Sequence, residues 1–277
     1  MDITQLQLLL KQYHLSPNKI RGQNFLVSDE VLKNILDVAN ISKKELVLEV
    51  GPGLGALTTV LVDKAEQVVA FEIDKNFVEP LNKLKKVSKN LEIIWHDILS
   101  LSDDEWLGIM SKYKKNKYKI VANIPYYLTA KFINKFILAK RRPLSMTLMV
   151  QKEVAQRVVD HQKHSLLSLS VAFYAKAQLA HVVTKENFYP QPKVDSAILN
   201  IYDIIDWQYQ VEEKKVWQLV RRGFAYKRKK LFNNLLTDQS INKEKLAKIF
   251  DKMGLDQNIR AEKLSVSNWL ELAKNLF

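Results

Sequence analysis

The chain has 277 residues, of which 47% are hydrophobic, so it can bury a sizeable core as one large domain or two unequal ones. Its formal net charge of +13 and isoelectric point near 9.6 suggest a polyanionic partner, either nucleic acid or an anionic membrane surface. Cysteine is absent and the five histidines are scattered, which excludes a disulfide framework and a cysteine nucleophile and leaves no metal site to expect.

The amino-terminal part begins with two helical patterns. Residues 3–13 have the spacing of a short amphipathic helix, and residues 17–22 form a basic loop that contains Lys19 and Arg21. Ser28 is expected to cap the second helix. Gln23 and Asn24, just before that helix, suit either a capped turn or polar contacts to a ligand, and the residues alone favour the turn.

A glycine turn follows the first predicted strand. Residues 46–50 are apolar nearly throughout, as in a parallel strand covered on both faces; Gly51 and Gly53 follow, and a second apolar run ends at Glu72. Such glycines let a ligand approach the backbone, and a carboxylate at the tip of the second strand can accept hydrogen bonds from ribose hydroxyls. This predicts an adenosine-containing cofactor. A nicotinamide dinucleotide and a ligand-free βαβ turn remain alternatives, whereas a P-loop is excluded because no Gly-Lys-Ser/Thr follows.

Two more strand ends carry polar side chains. Residues 91–95 are a predicted third strand, and Asp97 after it should lie at the same sheet edge as Glu72. Asp97 could accept a hydrogen bond from the cofactor's adenine amine, or serve only as a loop carboxylate. Residues 112–119 are a basic loop, interpreted as a solvated face or a phosphate contact.

The fourth strand, residues 119–122, ends in Asn123-Ile124-Pro125-Tyr126. The adenine N6 amine is a poor nucleophile because its lone pair is delocalised into the ring. The Asn123 side-chain oxygen and the backbone carbonyl held by Pro125 could accept both of its N–H bonds, directing the lone pair at a methyl donor. Tyr126 could then stack on a base turned out of its helix. Alone, the same tetrapeptide could be an ordinary turn.

The second half of the chain completes the predicted fold. Residues 146–150, 180–184 and 194–202 are predicted strands, 151–160 a helix, and 171–177 an apolar segment of uncertain type. We expect a Rossmann-like α/β domain over residues 1–204 with seven strands. A joint at 203–206 leads to a helical domain over 205–277, where Gly254 should end a helix. That domain has a basic cluster, which could clamp an RNA backbone or be a solvated face: Arg221, Arg222, Lys227, Arg228, Lys229 and Lys230.

These motifs resemble the rRNA adenine dimethyltransferases that use S-adenosylmethionine, along nearly the whole chain. The segments that carry the resemblance are residues 22–26, 49–55, 123–126, 150–157 and 188–196. The resemblance implies a class I methyltransferase fold, in which one of the seven strands is antiparallel near the edge, and roles for individual residues. Cofactor contacts are implied for Gln23, Asn24, Leu26, Gly51, Gly53, Glu72, Ile73, Asp97, Ile98 and Asn123. Catalytic roles are implied for Asn123, Pro125, Tyr126 and Phe188, with Tyr126 and Phe188 on either side of the target base.

Residues 220–235 and 260–265 resemble the small-subunit branch, which dimethylates two adjacent adenines in a 3′-terminal hairpin of 16S-type rRNA. A monomer of the cytoplasm that acts on a pre-ribosomal small subunit is therefore expected. Three alternatives remain: a large-subunit rRNA enzyme of the erythromycin-resistance branch, a non-catalytic assembly factor and a DNA adenine methyltransferase. Residues 161–168 depart from the family by lacking a Tyr-Gly before Leu169.

Overall fold

The computed structural model describes residues 1–18, 20–113 and 117–277. The chain forms two compact units, Met1–Gln156 with Lys176–Ile204, and Arg157–Ala175 with Ile205–Phe277. The domain division predicted after residue 204 remains a prediction. The predicted basic loops at 17–22 and 112–119 fall in part on Lys19 and residues 114–116, which lie outside the described residues.

Strands and helices alternate along most of the first unit, and helices make up the second. The strands are β1 (Phe25–Leu26), β2 (Leu46–Val50), β3 (Gln67–Phe71), β4 (Leu91–Ile94), β5 (Tyr118–Asn123), β6 (Ser145–Gln151), β7 (Lys176–Val183), β8 (Phe188–Tyr189) and β9 (Ser196–Tyr202). The helices are α1 (Ile3–Gln12), α2 (Asp29–Ala39), α3 (Ala56–Val62), α4 (Val78–Val87), α5 (Asp103–Ser111), α6 (Thr129–Ile137), α7 (Lys152–Val159), α8 (Leu166–Tyr174), α9 (Glu213–Gly223), α10 (Leu231–Leu235), α11 (Lys243–Lys252) and α12 (Val266–Leu276).

The main sheet has seven strands in the order β4-β3-β2-β5-β6-β9-β7, and β9 is antiparallel to both of its neighbours. This confirms the expected mostly parallel α/β fold with one antiparallel strand near the edge. The segment of uncertain type, 171–177, is divided between the end of α8 and the start of β7. Strand β7 therefore begins earlier than predicted. Strands β1 and β8 pair separately as a two-stranded antiparallel sheet.

Helices cover both faces of the sheet, which is why the strands read as apolar runs. On one face Val47, Val68 and Val121 belong to a buried cluster with residues of α2 and α3. On the other face Trp106 of α5 packs edge-on against Tyr118 and Phe136, with centroid distances of 5.6 and 5.5 Å. Each such buried side chain contributes about 1.5–3 kcal/mol to folding.

The strand register places three of the predicted site residues side by side at the same height along the sheet. Val50, the last residue of β2, pairs with Phe71 of β3 and with Ala122 of β5. The residues that follow these three positions are Gly51, Glu72 and Asn123, so they emerge together at the carboxyl edge of the sheet. The chain moves outward from β2 to β3 and β4 and then returns to the other side at β5. Ligands in open α/β sheets bind at such a switch point.

The second unit is built from α8 to α12. Tyr174 at the end of α8 links two side chains of α9, since its hydroxyl donates to Glu213 Oε1 at 2.6 Å and accepts from Trp217 Nε1 at 2.9 Å. Gly254 ends α11 with φ +63°, and two backbone hydrogen bonds close a Schellman motif around it, as predicted. None of the helices described for this chain is long and apolar enough to cross a membrane.

Candidate cofactor site and active site

A cavity lies in the first unit at the carboxyl edge of β2, β3 and β5. It is lined by residues that follow four strand ends and by the segment between α1 and α2. Of the predicted site residues, it brings together Gln23, Asn24, Leu26, Gly51, Gly53, Glu72, Ile73, Asp97, Ile98, Asn123, Pro125 and Tyr126. Among the residues with a predicted cofactor or catalytic role, Phe188 is the one that is not part of this lining.

The glycine turn holds the backbone open to a ligand. Gly51 and Gly53 have φ of +70° and +54°, a region that side chains disfavour. The Gly51 N–H donates to the Phe71 carbonyl at 2.9 Å, which ties the turn to β3. A Cβ added to Gly51 would find its nearest neighbour, the Asn123 carbonyl, only at 4.0 Å. Space therefore exists beside this backbone for a ligand.

Glu72 is held by the turns around it. Its Oε2 accepts a hydrogen bond from the Gly53 N–H at 3.2 Å, and its Oε1 accepts from the N–H groups of Ile73 and Asp74, both at 2.8 Å. The side chain is buried, and burial raises its pKa although these hydrogen bonds oppose the rise. A carboxylate offers about four acceptor positions, so about one remains for a ligand hydroxyl.

Glu49 is a cavity residue for which the sequence reasoning assigned no role. It lies within β2, is 1% exposed, and its Oε2 has no hydrogen-bond partner in the described part of the chain. Burial raises its pKa to about 8; the Thr58 side chain opposes this and the Glu72 carboxylate adds to it. The signal in the sequence was a carboxylate in a strand buried on both faces, where an unpaired acid is rare.

The segment before α2 is fastened over the cavity through Asp74. Gln23 Nε2 donates to Asp74 Oδ2 at 3.0 Å, and Gln23 Oε1 accepts from the Asn18 N–H at 2.9 Å. Arg21 forms an ion pair with the same carboxylate at 3.6 Å. The Gln23 amide thus anchors this segment while the residue lines the cavity.

The Asn123 amide has a defined orientation. Its Nδ2 donates to the Asn24 carbonyl at 3.1 Å, which only the amide nitrogen can do. Its Oδ1 is thereby left as an acceptor. The Tyr126 ring is fixed as well, because its hydroxyl shares a 2.7 Å hydrogen bond with Oγ of Ser196, a buried residue at the start of β9. Burial raises the Tyr126 pKa, and the bond to Ser196 opposes this.

Asp97 lies at the exposed end of the cavity. Its Oδ1 accepts from the Leu99 N–H at 2.9 Å, the bond of an Asx turn, which leaves Oδ2 for a ligand amine. Ile98, the next residue, is 2% exposed and forms apolar wall. Both predicted interpretations of Asp97, loop carboxylate and ligand acceptor, are thus compatible with its geometry.

Phe188 is placed in the core. It pairs with Leu26 across the β1–β8 ladder, is 1% exposed and belongs to the buried cluster beneath the sheet edge. A base could reach its ring only after that packing opened. Its predicted stacking role therefore stays a prediction that needs a rearrangement.

The basic cluster lies at the end of α9 and in the connection to α10. Arg221 lies over the Trp217 ring at 6.0 Å, and Arg222 forms an ion pair with Asp238. Lys229 lies over the Tyr226 ring at 4.2 Å, and Lys230 donates to Asn258. Lys227 and Arg228 are exposed. Four of the six cations thus have protein contacts, and their role in binding RNA stays a prediction.

Comparison with known proteins identifies the family. The sequence model of the ribosomal RNA adenine dimethylase family matches residues 15–276 of this chain. The ribosomal RNA small subunit methyltransferase A of Dehalococcoides mccartyi (strain CBDB1) is 40% identical over 275 residues, 98% of this chain and 92% of that protein. The protein of the same name from Listeria welshimeri is 38% identical over 231 residues, which cover 82% of this chain and 78% of the Listeria protein.

Solved structures show the same fold. The 23S rRNA methyltransferase ErmE has a TM-score of 0.71 at 24% identity, and the match covers 91% of this chain and 99% of the ErmE chain. A dimethyladenosine transferase from Plasmodium falciparum has a TM-score of 0.73 at 24% identity, covering 90% and 95%. Because the family model spans nearly the whole chain and relatives close to 40% identical cover most of it, this chain belongs to the ribosomal RNA adenine dimethylase family.

Proposed function

We propose that this chain transfers methyl groups from S-adenosylmethionine to the N6 amines of two adjacent adenines in the 3′-terminal hairpin of small-subunit rRNA. This proposal rests mainly on one observation. Gly51, Glu72 and Asn123 follow neighbouring strand ends at the same level of the sheet, and all three line one cavity. A cofactor-binding turn and an amide that can orient an adenine amine then share one site. The curated relatives, named for the small subunit, support this branch over the large-subunit alternative.

The donor set of the cavity fits this cofactor. Gly51 offers open backbone, Glu72 retains about one acceptor position for a ribose hydroxyl, and Asp97 Oδ2 is available to an adenine amine. The Glu49 Oε2 atom, which has no hydrogen-bond partner in the described part of the chain, is a further polar atom that lines this cavity. When bound, S-adenosylmethionine would supply the methyl group at its sulfonium.

The residues of this chain would then activate the target amine. Asn123 Oδ1, oriented by the bond to the Asn24 carbonyl, and the backbone carbonyl before Pro125 would accept the two N6–H bonds. This rotates the nitrogen lone pair out of conjugation and stabilises the positive charge that develops on N6. No general base is required, because the proton becomes acidic after transfer. Tyr126, fixed by Ser196, would stack on the target base.

The RNA would be held by charge. The exposed Lys227 and Arg228 are the members of the basic cluster most available to phosphates, and their binding should weaken strongly with salt. The proposed partner is rRNA within a pre-ribosomal small subunit, and the proposed form is a monomer in the cytoplasm.

The test is transfer of labelled methyl groups to unmethylated small subunits, large-subunit rRNA and a DNA duplex. We expect label on two adjacent adenines of the small-subunit RNA. Asn123→Ala should keep most of the fold and lose methyl transfer by about two orders of magnitude or more. Label confined to large-subunit RNA or DNA would refute the substrate, and cofactor binding without any product would support an assembly factor instead.

A further inference from the structure

The mouth of the cavity carries an exposed aromatic side chain that no predicted role includes. Tyr127 follows Tyr126 in the one-turn helix Tyr126–Leu128, lines the cavity and is 65% exposed. The other Phe and Tyr side chains that line the cavity in the described residues are buried or half-buried: Phe25, Phe71, Phe77, Tyr126 and Phe132. Tyr127 therefore presents aromatic surface where a substrate would enter.

The Tyr127 ring is supported on one side. Gly22 has φ +62°, and a Cβ added there would lie 3.6 Å from Tyr127 Cε1 and 3.7 Å from Pro125 Cβ. The ring thus lies beside the Gly22 backbone while most of its surface faces solvent.

The two adjacent tyrosines differ in what holds them. The Tyr126 hydroxyl is bonded to Ser196 at 2.7 Å, so that ring is fixed within the cavity and suited to the target base. Tyr127 has no such tether in the described structure. Tyr127 can therefore contact a ligand through the exposed face of its aromatic ring.

The reaction creates a need for such a face, and this step rests on the proposed function. Turning one adenine into the cavity leaves the neighbouring base unstacked on one side, at a cost of a few kcal/mol. Aromatic side chains stack on any base, because every base has a π face. We propose that Tyr127 is the stacking platform for the nucleobase next to the target adenine.

The test uses an RNA hairpin in which 2-aminopurine, whose fluorescence is quenched by stacking, replaces either the target adenine or its neighbour. Tyr127→Phe keeps the ring and Tyr127→Leu removes it; Phe277→Leu, at a residue outside the cavity that is 52% exposed, is the matched control. We expect Tyr127→Leu to bind the hairpin about tenfold more weakly. We expect Tyr127→Phe and Phe277→Leu to stay within about twofold of the parent.

Fluorescence locates the effect. Quenching at the neighbouring position should be lost in Tyr127→Leu and kept in Tyr127→Phe, while the signal at the target position stays the same. Parental affinity and quenching in Tyr127→Leu would overturn the proposal, as would a change confined to the target position. Tyr127→Gln provides a second ring-free variant if the first is unstable.

Methyl transfer by the parent protein to small subunits is measured in the same preparations. No transfer by the parent would refute the proposed function itself. Normal transfer by the parent, with Tyr127→Leu indistinguishable from it in affinity and fluorescence, would refute only the platform.

Discussion

Replacement of Glu49 by Gln should change how the stability of the first unit depends on pH. The Glu49 carboxyl is 1% exposed and its pKa is raised to about 8 from an ordinary 4.5. The pKa of Glu49 is higher in the folded than in the unfolded protein, so the protonated carboxyl is the form that favours folding. Its contribution to the free energy of unfolding is fully present below pH 4.5 and is lost as pH rises towards 8. Gln has nearly the same shape as Glu and cannot ionise, so the Glu49→Gln variant should not lose this stability as pH rises.

The size of the effect follows from linkage. At 1.36 kcal/mol for each unit of pKa, the full loss is about 5 kcal/mol, and roughly 3.5 kcal/mol of it falls between pH 5 and pH 8. The free energy of unfolding of Glu49→Gln, relative to the parent, should therefore rise by roughly that amount over this range.

Two measurements check the reasoning. Thermal unfolding of parent and variant from pH 5 to pH 9 follows the whole chain, and hydrogen exchange in β2 at matched pH reads the first unit separately. Glu271→Gln, at an exposed position of α12, is the control for the same substitution made outside the cavity. A difference between Glu49→Gln and the parent that is constant with pH would show that Glu49 ionises freely in the folded protein and refute the argument.

Three further substitutions test other parts of the structure. Glu72→Ala leaves three backbone N–H groups without their acceptor and should weaken S-adenosylmethionine binding by about 1–3 kcal/mol by calorimetry; unchanged affinity would contradict its role. Ser196→Ala and Tyr126→Phe each remove the same hydrogen bond, so each should raise KM for RNA severalfold, with little further effect in the double variant; additive effects would argue against coupling. Gly223→Ala places a Cβ 2.4 Å from the Trp269 ring and should destabilise the second unit by about 1–3 kcal/mol in thermal unfolding, whereas a parental midpoint would show that the ring can move.

Local signals in the sequence were sufficient for many of the elements and for most of the residues that line the cavity. The apolar run at Leu46–Val50 specifies a buried strand because both of its faces must be covered. The Ser28 cap of α2 and the Gly254 end of α11 were predictable because each depends on hydrogen bonds within a few residues. Gly51, Glu72 and Asn123 could be assigned to one edge because parallel strands all end on the same side.

What only the tertiary structure decided depends on residues far apart in the chain. The sequence could not show that Gln23 is bonded to Asp74, 51 residues away, or Tyr126 to Ser196, 70 residues away. Nor could it show that Phe188 is buried in the core while Tyr127 is exposed at the cavity mouth. Residue type and spacing set local backbone structure. Strand order and packing fix which side chains meet, and which buried oxygen has no partner in the described part of the chain, because they bring distant segments into contact.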